Sequence, residues 1–405
     1  MDVPANVVPL LIAVAAVAAA AALWLTARLR RRRLSHKVRV VGIGEGGANA
    51  VEAMVRAGMR GADFIVLNTD TRALAQSSAR TRIAMGKSLT GSHGAGGDVT
   101  VGEAAARDAA DEIGIALEGS QLVVLTAGLG GGTGSGALPV VAEIARGLGA
   151  LTIAVVTKPF AFEGARRHRA AEHAATALSA KVDAVATIPN DRVREVMPAE
   201  VTVEDAFRSI DDVMQRSVGE MLALIAAPGR INLDFADVRA VLRGGGAAAV
   251  GFGRASGEKR AVEAARRAVT ATHLDARMSS ASSVLVNVTG SRKLRLAELD
   301  AVTDTVLEAA GRNANMVFGM SLDRRMRDEV QVTLIATGFE GASATDQVTT
   351  GTDEAEPWRP VWLRRAHADE SIPARRTPSS TSQRSRRGRG PSTPPEQQPE
   401  RSPSE

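Results

Sequence analysis

The chain reads as an α/β protein with a mainly parallel sheet, a long connecting helix and a second, smaller α/β domain. Three observations predict this. Short apolar runs alternate with helical stretches from residue 37 onward, the pattern of βαβ units. Each early run ends in a glycine-rich or polar loop, where a parallel sheet carries its ligand loops. Residues 206–226 then form a long amphipathic stretch, beyond which strand-like runs resume.

Residues 37–44 (KVRVVGIG) read as the first strand and its turn, and residues 49–57 as a helix. Residues 64–67 (FIVL) are the second strand, ending in Asn68-Thr69-Asp70, and a helix follows over 101–113. The run 122–125 (LVVL) leads into Gly130-Gly131-Gly132-Thr133-Gly134-Ser135-Gly136, then a helix over 140–146. Backbone without Cβ atoms can approach a ligand closely, and free N–H groups at a helix start attract an anion. The loop is suited to phosphate. No lysine follows it, so it is not a Walker A loop.

A strand follows at 151–156. The 206–226 helix places Phe207, Ile210, Val213, Met214, Val218, Met221, Leu222 and Ile225 on one face and stops at Pro228-Gly229. Strands at 283–288 and 330–335 flank a helix at 296–310. The first turn, Gly42 to Gly47, also fits Gly-x-Gly-x-x-Gly, with Asp70 placed for a ribose. An NAD-binding oxidoreductase is therefore an alternative, disfavoured because that fold has no use for a second phosphate loop.

The 405 residues suit two domains plus tails, and the absence of cysteine excludes disulfides. Aromatic residues make up 3%, so the core must be packed with aliphatic side chains. Residues 7–25 form an alanine-rich apolar run, long enough to cross a bilayer as a helix. Trp24 and the cluster Arg28, Arg30, Arg31, Arg32 and Arg33 flank it, which orients the remainder towards the cytoplasm. A soluble alanine-rich helix is the alternative. Residues 341–405 are rich in Pro, Ser, Thr and Arg and cannot bury enough surface to fold alone. There, Trp358 to Arg365 mixes indoles with arginines, suited to an anionic membrane surface, a partner or a plain linker.

Several segments together resemble the tubulin/FtsZ family of GTPases, over roughly residues 37–340. They are residues 42–51, Asn68-Thr69-Asp70, Gly94-Ala95-Gly96, the 130–136 loop, KPFAFEG at 158–164, IPNDR at 188–192, residues 228–238 and IATGF at 335–339. KPFAFEG and NLDFADV point to the bacterial FtsZ branch. The resemblance implies a GTP-binding domain at 37–205, a connecting helix at 206–228 and a C-terminal domain at 229–340. It implies GTP or GDP as ligand, with Mg²⁺ on the phosphates and no protein metal ligand. Glu45, Gly46, Gly47, Ala48 and Asn49 would lie against the nucleotide. Gly94, Ala95, Gly96 and Gly97 would cap the terminal phosphate, and Gly130, Gly131, Gly132, Thr133 and Gly134 would hold the phosphates. Glu163 would bind the ribose, Arg167 the phosphates, and Asn190 belongs to the same set. Phe207 would stack on guanine, and Asp211 would accept its N1–H and N2–H₂.

Asn232, Asp234 and Asp237 bunch at a helix start, where acids can simply cap. The resemblance gives them a second role: inserted into the next subunit's nucleotide site, Asp234 and Asp237 would orient the attacking water, with Asn232 near the phosphates. The implied partner is another copy, in a head-to-tail filament of bacterial cell division. The expected location is the inner face of the membrane, without nucleic acid. A non-hydrolysing membrane scaffold is the alternative. The sequence departs from the family at Glu45, Asp98 and Glu103, where the family has glycine, asparagine and a basic residue; an acid that faces the phosphates is expected to weaken nucleotide binding or steepen its Mg²⁺ requirement, and one that points outward is not. The tail keeps Ile372-Pro373 of the family's adaptor peptide but lacks its Phe-Leu, which suits a chain with its own anchor.

Overall fold

The structure is a computed structural model that describes residues 38–194, 197–198, 200–226, 231, 233–243, 246–270 and 278–339. The expected anchor with its arginine flank, Pro228-Gly229, Asn232 and the tail lie outside the described residues.

The first half alternates strand and helix as expected. β1 (Val38–Ile43) runs straight into α1 (Gly44–Arg56), and β2 (Asp63–Asn68) into α2 (Thr71–Gln76). β3 (Thr81–Ala84) precedes α3 (Lys87–Thr90), α4 (Val99–Asp108) and α5 (Ala110–Leu117). β4 (Leu122–Gly128), α6 (Gly132–Gly147), β5 (Leu151–Lys158), α7 (Ala165–Ser179), β6 (Ala184–Pro189) and α8 (Asn190–Arg194) complete it. The long helix α9 (Val203–Ala226) leads to α10 (Phe235–Leu242) and β7 (Gly246–Ser256). Then come α11 (Arg260–Val269), β8 (Ala281–Gly290), α12 (Leu296–Ala310), β9 (Asn315–Leu322) and β10 (Glu329–Phe339).

All ten strands form one sheet in the order β3-β2-β1-β4-β5-β6-β7-β10-β8-β9. Neighbours from β3 to β7 are parallel, β10 is antiparallel to β7 and β8, and β9 is parallel to β8. The two α/β halves are thus hydrogen-bonded across the sheet through β6 and β7, among the described residues by the pairs Ala184↔Gly246 to Ala186↔Ala248. The central strands are buried on both faces, which is why 122–125 reads as a continuous apolar run.

Four helices differ from the expected bounds, α9 only in starting at Val203 rather than 206. The 101–113 stretch is two helices that meet at Ala109 (φ −91°, ψ 10°). α1 starts at Gly44 and α6 at Gly132, so the glycines that read as turns are first helical turns. Tertiary packing overrides glycine's poor helix propensity here. A Cβ on Gly136 would lie 2.1 Å from the Val99 carbonyl oxygen, and one on Gly132 2.6 Å from that of Asp98. Small residues let α6 lie directly on α4.

α9 buries Ile210, Met214, Val218, Met221 and Leu222 in the main aliphatic cluster. Its Glu220 carboxylate accepts hydrogen bonds from Gln331 Nε2 (2.8 Å) and Thr333 Oγ1 (2.6 Å), tying the helix to β10.

Candidate functional site

Strand order reverses between β1 and β4, with β2 and β3 to one side and β5 and β6 to the other. Loops part at such a point and leave a crevice beyond the strand C-termini. A cleft of ≈ 590 Å³ opens there. Gly44, Glu45, Gly46 and Asn49 of α1 line it, as do Asn68 and Asp70 after β2 and Gly128 and Leu129 after β4. Thr157 and Pro159 at the end of β5 and Asn190 after β6 add to the floor. Phe207, Ile210, Asp211 and Met214 of α9 form a wall.

An anion-attracting environment comes from backbone. Gly131, Gly132, Thr133 and Gly134 line the cleft at the start of α6. Neither α1 nor α6 has a side-chain cap, so their first N–H groups remain free to meet an anion. The loop is held from behind. Ser135 Oγ accepts from the Gly130 N–H at 2.8 Å, and the Thr69 and Thr133 hydroxyls bond at 2.6 Å. Opposite, Gly94, Gly96 and Gly97 all have positive φ (92°, 59° and 77°), and Gly94 and Gly97 face the cleft. Such a turn can gather N–H groups into an anion-binding nest.

Some expected residues lie outside the cleft lining, most of them buried. Gly47, Ala48, Ala95, Gly96 and Gly130 do not line the cleft. A Cβ on Gly47 would sit 2.3 Å from the Thr126 carbonyl oxygen, and one on Gly130 2.9 Å from that of Arg167. Those two glycines permit close backbone packing. Conversely, His93, Thr157, Pro159 and Met214 line the cleft without having been singled out for it. Met214 was legible: residues 207, 210, 211 and 214 follow helical spacing on one face.

Charge in the cleft is mostly negative. Glu45, Asp70, Glu163 and Asp211 line it, against one arginine, Arg167. Arg167 is ion-paired to Glu163, whose other oxygen accepts from the Phe160 N–H at 2.9 Å. Asp70 caps α2, accepting from the Arg72 N–H at 2.8 Å. Burial, with Asp212 alongside, pushes the Asp211 carboxyl up to about 7. Asn190 is buried and its Oδ1 has no hydrogen-bond partner, an acceptor awaiting a donor. The Phe207 ring is 41% exposed although it shares spacing with core residues, and it meets Phe160 edge-on at 5.4 Å.

Of Glu45, Asp98 and Glu103, only Glu45 lines the cleft. Asp98 caps α4: its carboxylate accepts from the Thr100 hydroxyl (2.7 Å) and N–H (2.8 Å), which hold its pKa below the usual range. Glu103 pairs with Arg107 at 2.7 Å.

Asp234 and Asp237 lie away from the cleft. They form a reciprocal cap at the start of α10, with Asp234 Oδ1 accepting from the Asp237 N–H at 2.8 Å. Arg239 of α10 donates to the Gly149 carbonyl at 3.0 Å, just ahead of β5, whereas the cleft follows the other end of β5. The eight residues of β5 span about 26 Å. One chain therefore does not unite acids and cleft.

A family model described as "Tubulin/FtsZ family, GTPase domain" matches residues 37–198, and one described as "FtsZ family, C-terminal domain" matches 246–340. An empty FtsZ dimer from M. jannaschii is 36% identical, with TM-score 0.72, over 82% of this chain and 98% of that one. CetZ2 from Haloferax volcanii, solved as a GTPγS-bound protofilament, is 25% identical with TM-score 0.67, over 76% of this chain and 94% of that one. The matched residues include the cleft's glycine loops and the strands that carry them, and the chain therefore belongs to the tubulin/FtsZ family, with an FtsZ-type GTPase domain and C-terminal domain.

Proposed function

We propose that the chain is a GTP-hydrolysing, filament-forming protein of bacterial cell division, active only where one copy meets the next. One observation carries this: the cleft and the paired acids Asp234 and Asp237 sit by opposite ends of the central strands of the same sheet. In a head-to-tail contact the acids of one copy enter the cleft of its neighbour, and such a contact propagates into a filament.

Exposed apolar side chains support it. Phe162, Val203 and Phe207 are 65%, 66% and 41% exposed beside the cleft. Ile231 and Leu322 are 46% and 39% exposed on the side of the acids, where Ile231 bridges to Met320 and Leu322 lies two residues further along β9. Each patch wants cover, and each would find it in the other.

The cleft fits a guanine nucleotide. Phe207 stacks on the base, and Asp211 accepts from N1–H and N2–H₂. Glu163 takes the ribose, and Arg167 with the N–H groups of 131–134 and 95–97 takes the phosphates; the Gly94 N–H is held by the Thr69 carbonyl at 3.3 Å. Asn190 Oδ1 offers the remaining acceptor. Mg²⁺ would arrive on the nucleotide and neutralise phosphate charge; among the described residues no cluster of three His, Cys, Asp or Glu could hold a metal. Asp234 and Asp237 of the neighbour orient and polarise the attacking water, and catalysis is mostly positioning.

The domain division at 205 and 228, the N-terminal anchor, the location at the inner face of the membrane and any adaptor contact of the tail belong to this proposal and rest on sequence. Glu45, an acid facing the phosphate site, favours a second reading, a scaffold that binds nucleotide without turnover. The full chain is assayed for phosphate release over a range of protein concentrations, beside Asp237→Ala. Turnover per molecule should climb with concentration and collapse in the variant while GTP still binds. Turnover independent of concentration overturns the proposal; filaments without turnover select the scaffold.

A further inference from the structure

A second cavity of ≈ 390 Å³ lies at the N-terminal ends of β5 and β6, away from the nucleotide cleft at their C-terminal ends. Arg146, Arg239 and Arg243 line it, with Gly149-Ala150-Leu151 entering β5 and Asp183 entering β6. We propose that this cavity binds a small phosphate-bearing molecule, separate from the nucleotide and on the helix that carries Asp234 and Asp237.

Charge and preorganisation point to it. Asp183 is the one carboxylate on the lining, and it is buried and committed, accepting from the Thr152 N–H at 2.8 Å. Three guanidinium groups thus face one acid. Two of them are held in place: Arg146 donates to the Ala180 carbonyl at 3.0 Å and Arg239 to that of Gly149 at 3.0 Å. Arg239 also lies over the Phe235 ring, 5.4 Å from its centroid. Its Nε is buried without a hydrogen-bond partner. Among the described residues none of the three arginines has an ion pair, although Lys181 and Glu143 nearby pair with each other at 3.3 Å. A planar guanidinium can grip two oxygens of a phosphate at once. The volume is that of a small-molecule site, enough for a phosphate monoester with a sugar-sized body.

The test uses the full chain saturated with GDP, so that the nucleotide cleft is filled. Inorganic phosphate and ribose 5-phosphate are titrated by calorimetry at constant ionic strength, with chloride as the balancing anion. Saturable binding is expected, at least tenfold weaker in Arg146→Gln and in Arg243→Gln. Neither residue belongs to the nucleotide cleft, so GDP affinity within twofold of the parent shows that each variant is folded. Tighter binding of ribose 5-phosphate than of phosphate assigns a monoester; equal binding assigns free phosphate. Absence of saturable binding, or binding unchanged in both variants, overturns the proposal. The outcome is independent of the hydrolysis reading, since GTP turnover is not measured.

Discussion

Guanine binding should depend on pH through Asp211. In the free protein burial and the neighbouring Asp212 hold this carboxyl at about 7. The guanine edge presents donors, which only the carboxylate can meet with both oxygens. Below pH 7 binding must therefore expel a proton. With a pKa of about 7 the ionised fraction is about 0.9 at pH 8 and about 0.09 at pH 6, so GDP affinity should fall about tenfold between them. Asp211→Asn should abolish this slope. It should also turn preference from guanine towards xanthine, whose second carbonyl accepts from the amide N–H₂. The free protein shows the opposite sign. A carboxyl raised in the folded state binds protons more tightly than the unfolded chain, so its penalty grows as pH rises from about 4 to about 7. Asp211→Asn should thus stabilise the nucleotide-free protein at pH 8, by about 2–4 kcal/mol. GDP titrations at pH 6, 7 and 8, with urea melts of the free protein, measure both. A wild-type affinity flat from pH 6 to 8, or a parallel slope in Asp211→Asn, refutes the reasoning.

Glu45→Gly should tighten GTP binding, most at low Mg²⁺: a carboxylate about 6 Å from a phosphate oxygen costs about 2–3 kcal/mol at an effective dielectric of 20. Titration of a fluorescent GTP analogue across Mg²⁺ concentrations checks this, and unchanged affinity removes Glu45 from the phosphate site. Gly136→Ala should lower stability by about 2–4 kcal/mol in urea melts, because its Cβ would strike the Val99 carbonyl, whereas Gly131→Ala, with nothing within 4 Å, should stay within about 1 kcal/mol. Arg260 and Glu298 form an ion pair at 2.7 Å with both side chains at most 10% exposed. Glu298→Gln should cost about 3–5 kcal/mol at pH 7 by stranding the arginine. The hydrogen bond from Arg260 holds Glu298 down to about 2, so this stability is present above about 4.5 and is lost as pH falls towards 2. Circular dichroism melts from pH 7 to 2 should therefore converge for variant and parent at the acid end.

The sequence by itself determined the layered α/β architecture, because a strand buried on both faces must be written as an unbroken apolar run, as at 122–125. It also placed the loops that line the cleft, because in a parallel sheet the loops after such runs gather at the strand C-termini. The cleft-facing group of α9, Phe207 and Asp211 together, was readable from helical spacing. What each glycine does was not: Gly131 faces the cleft while Gly136, in the same motif, lets two helices touch. That distinction depends on the Val99 carbonyl, distant in sequence. The fates of Asp98 and Glu103 were likewise decided by partners in space, Thr100 and Arg107, which turn those acids to capping and pairing. Only the tertiary structure joined both halves through β6 and β7 and set Asp234 and Asp237 by the strand ends far from the cleft. Periodicity records which face of an element is buried, but the separation of two sites follows from strand order and from the length of the elements between them.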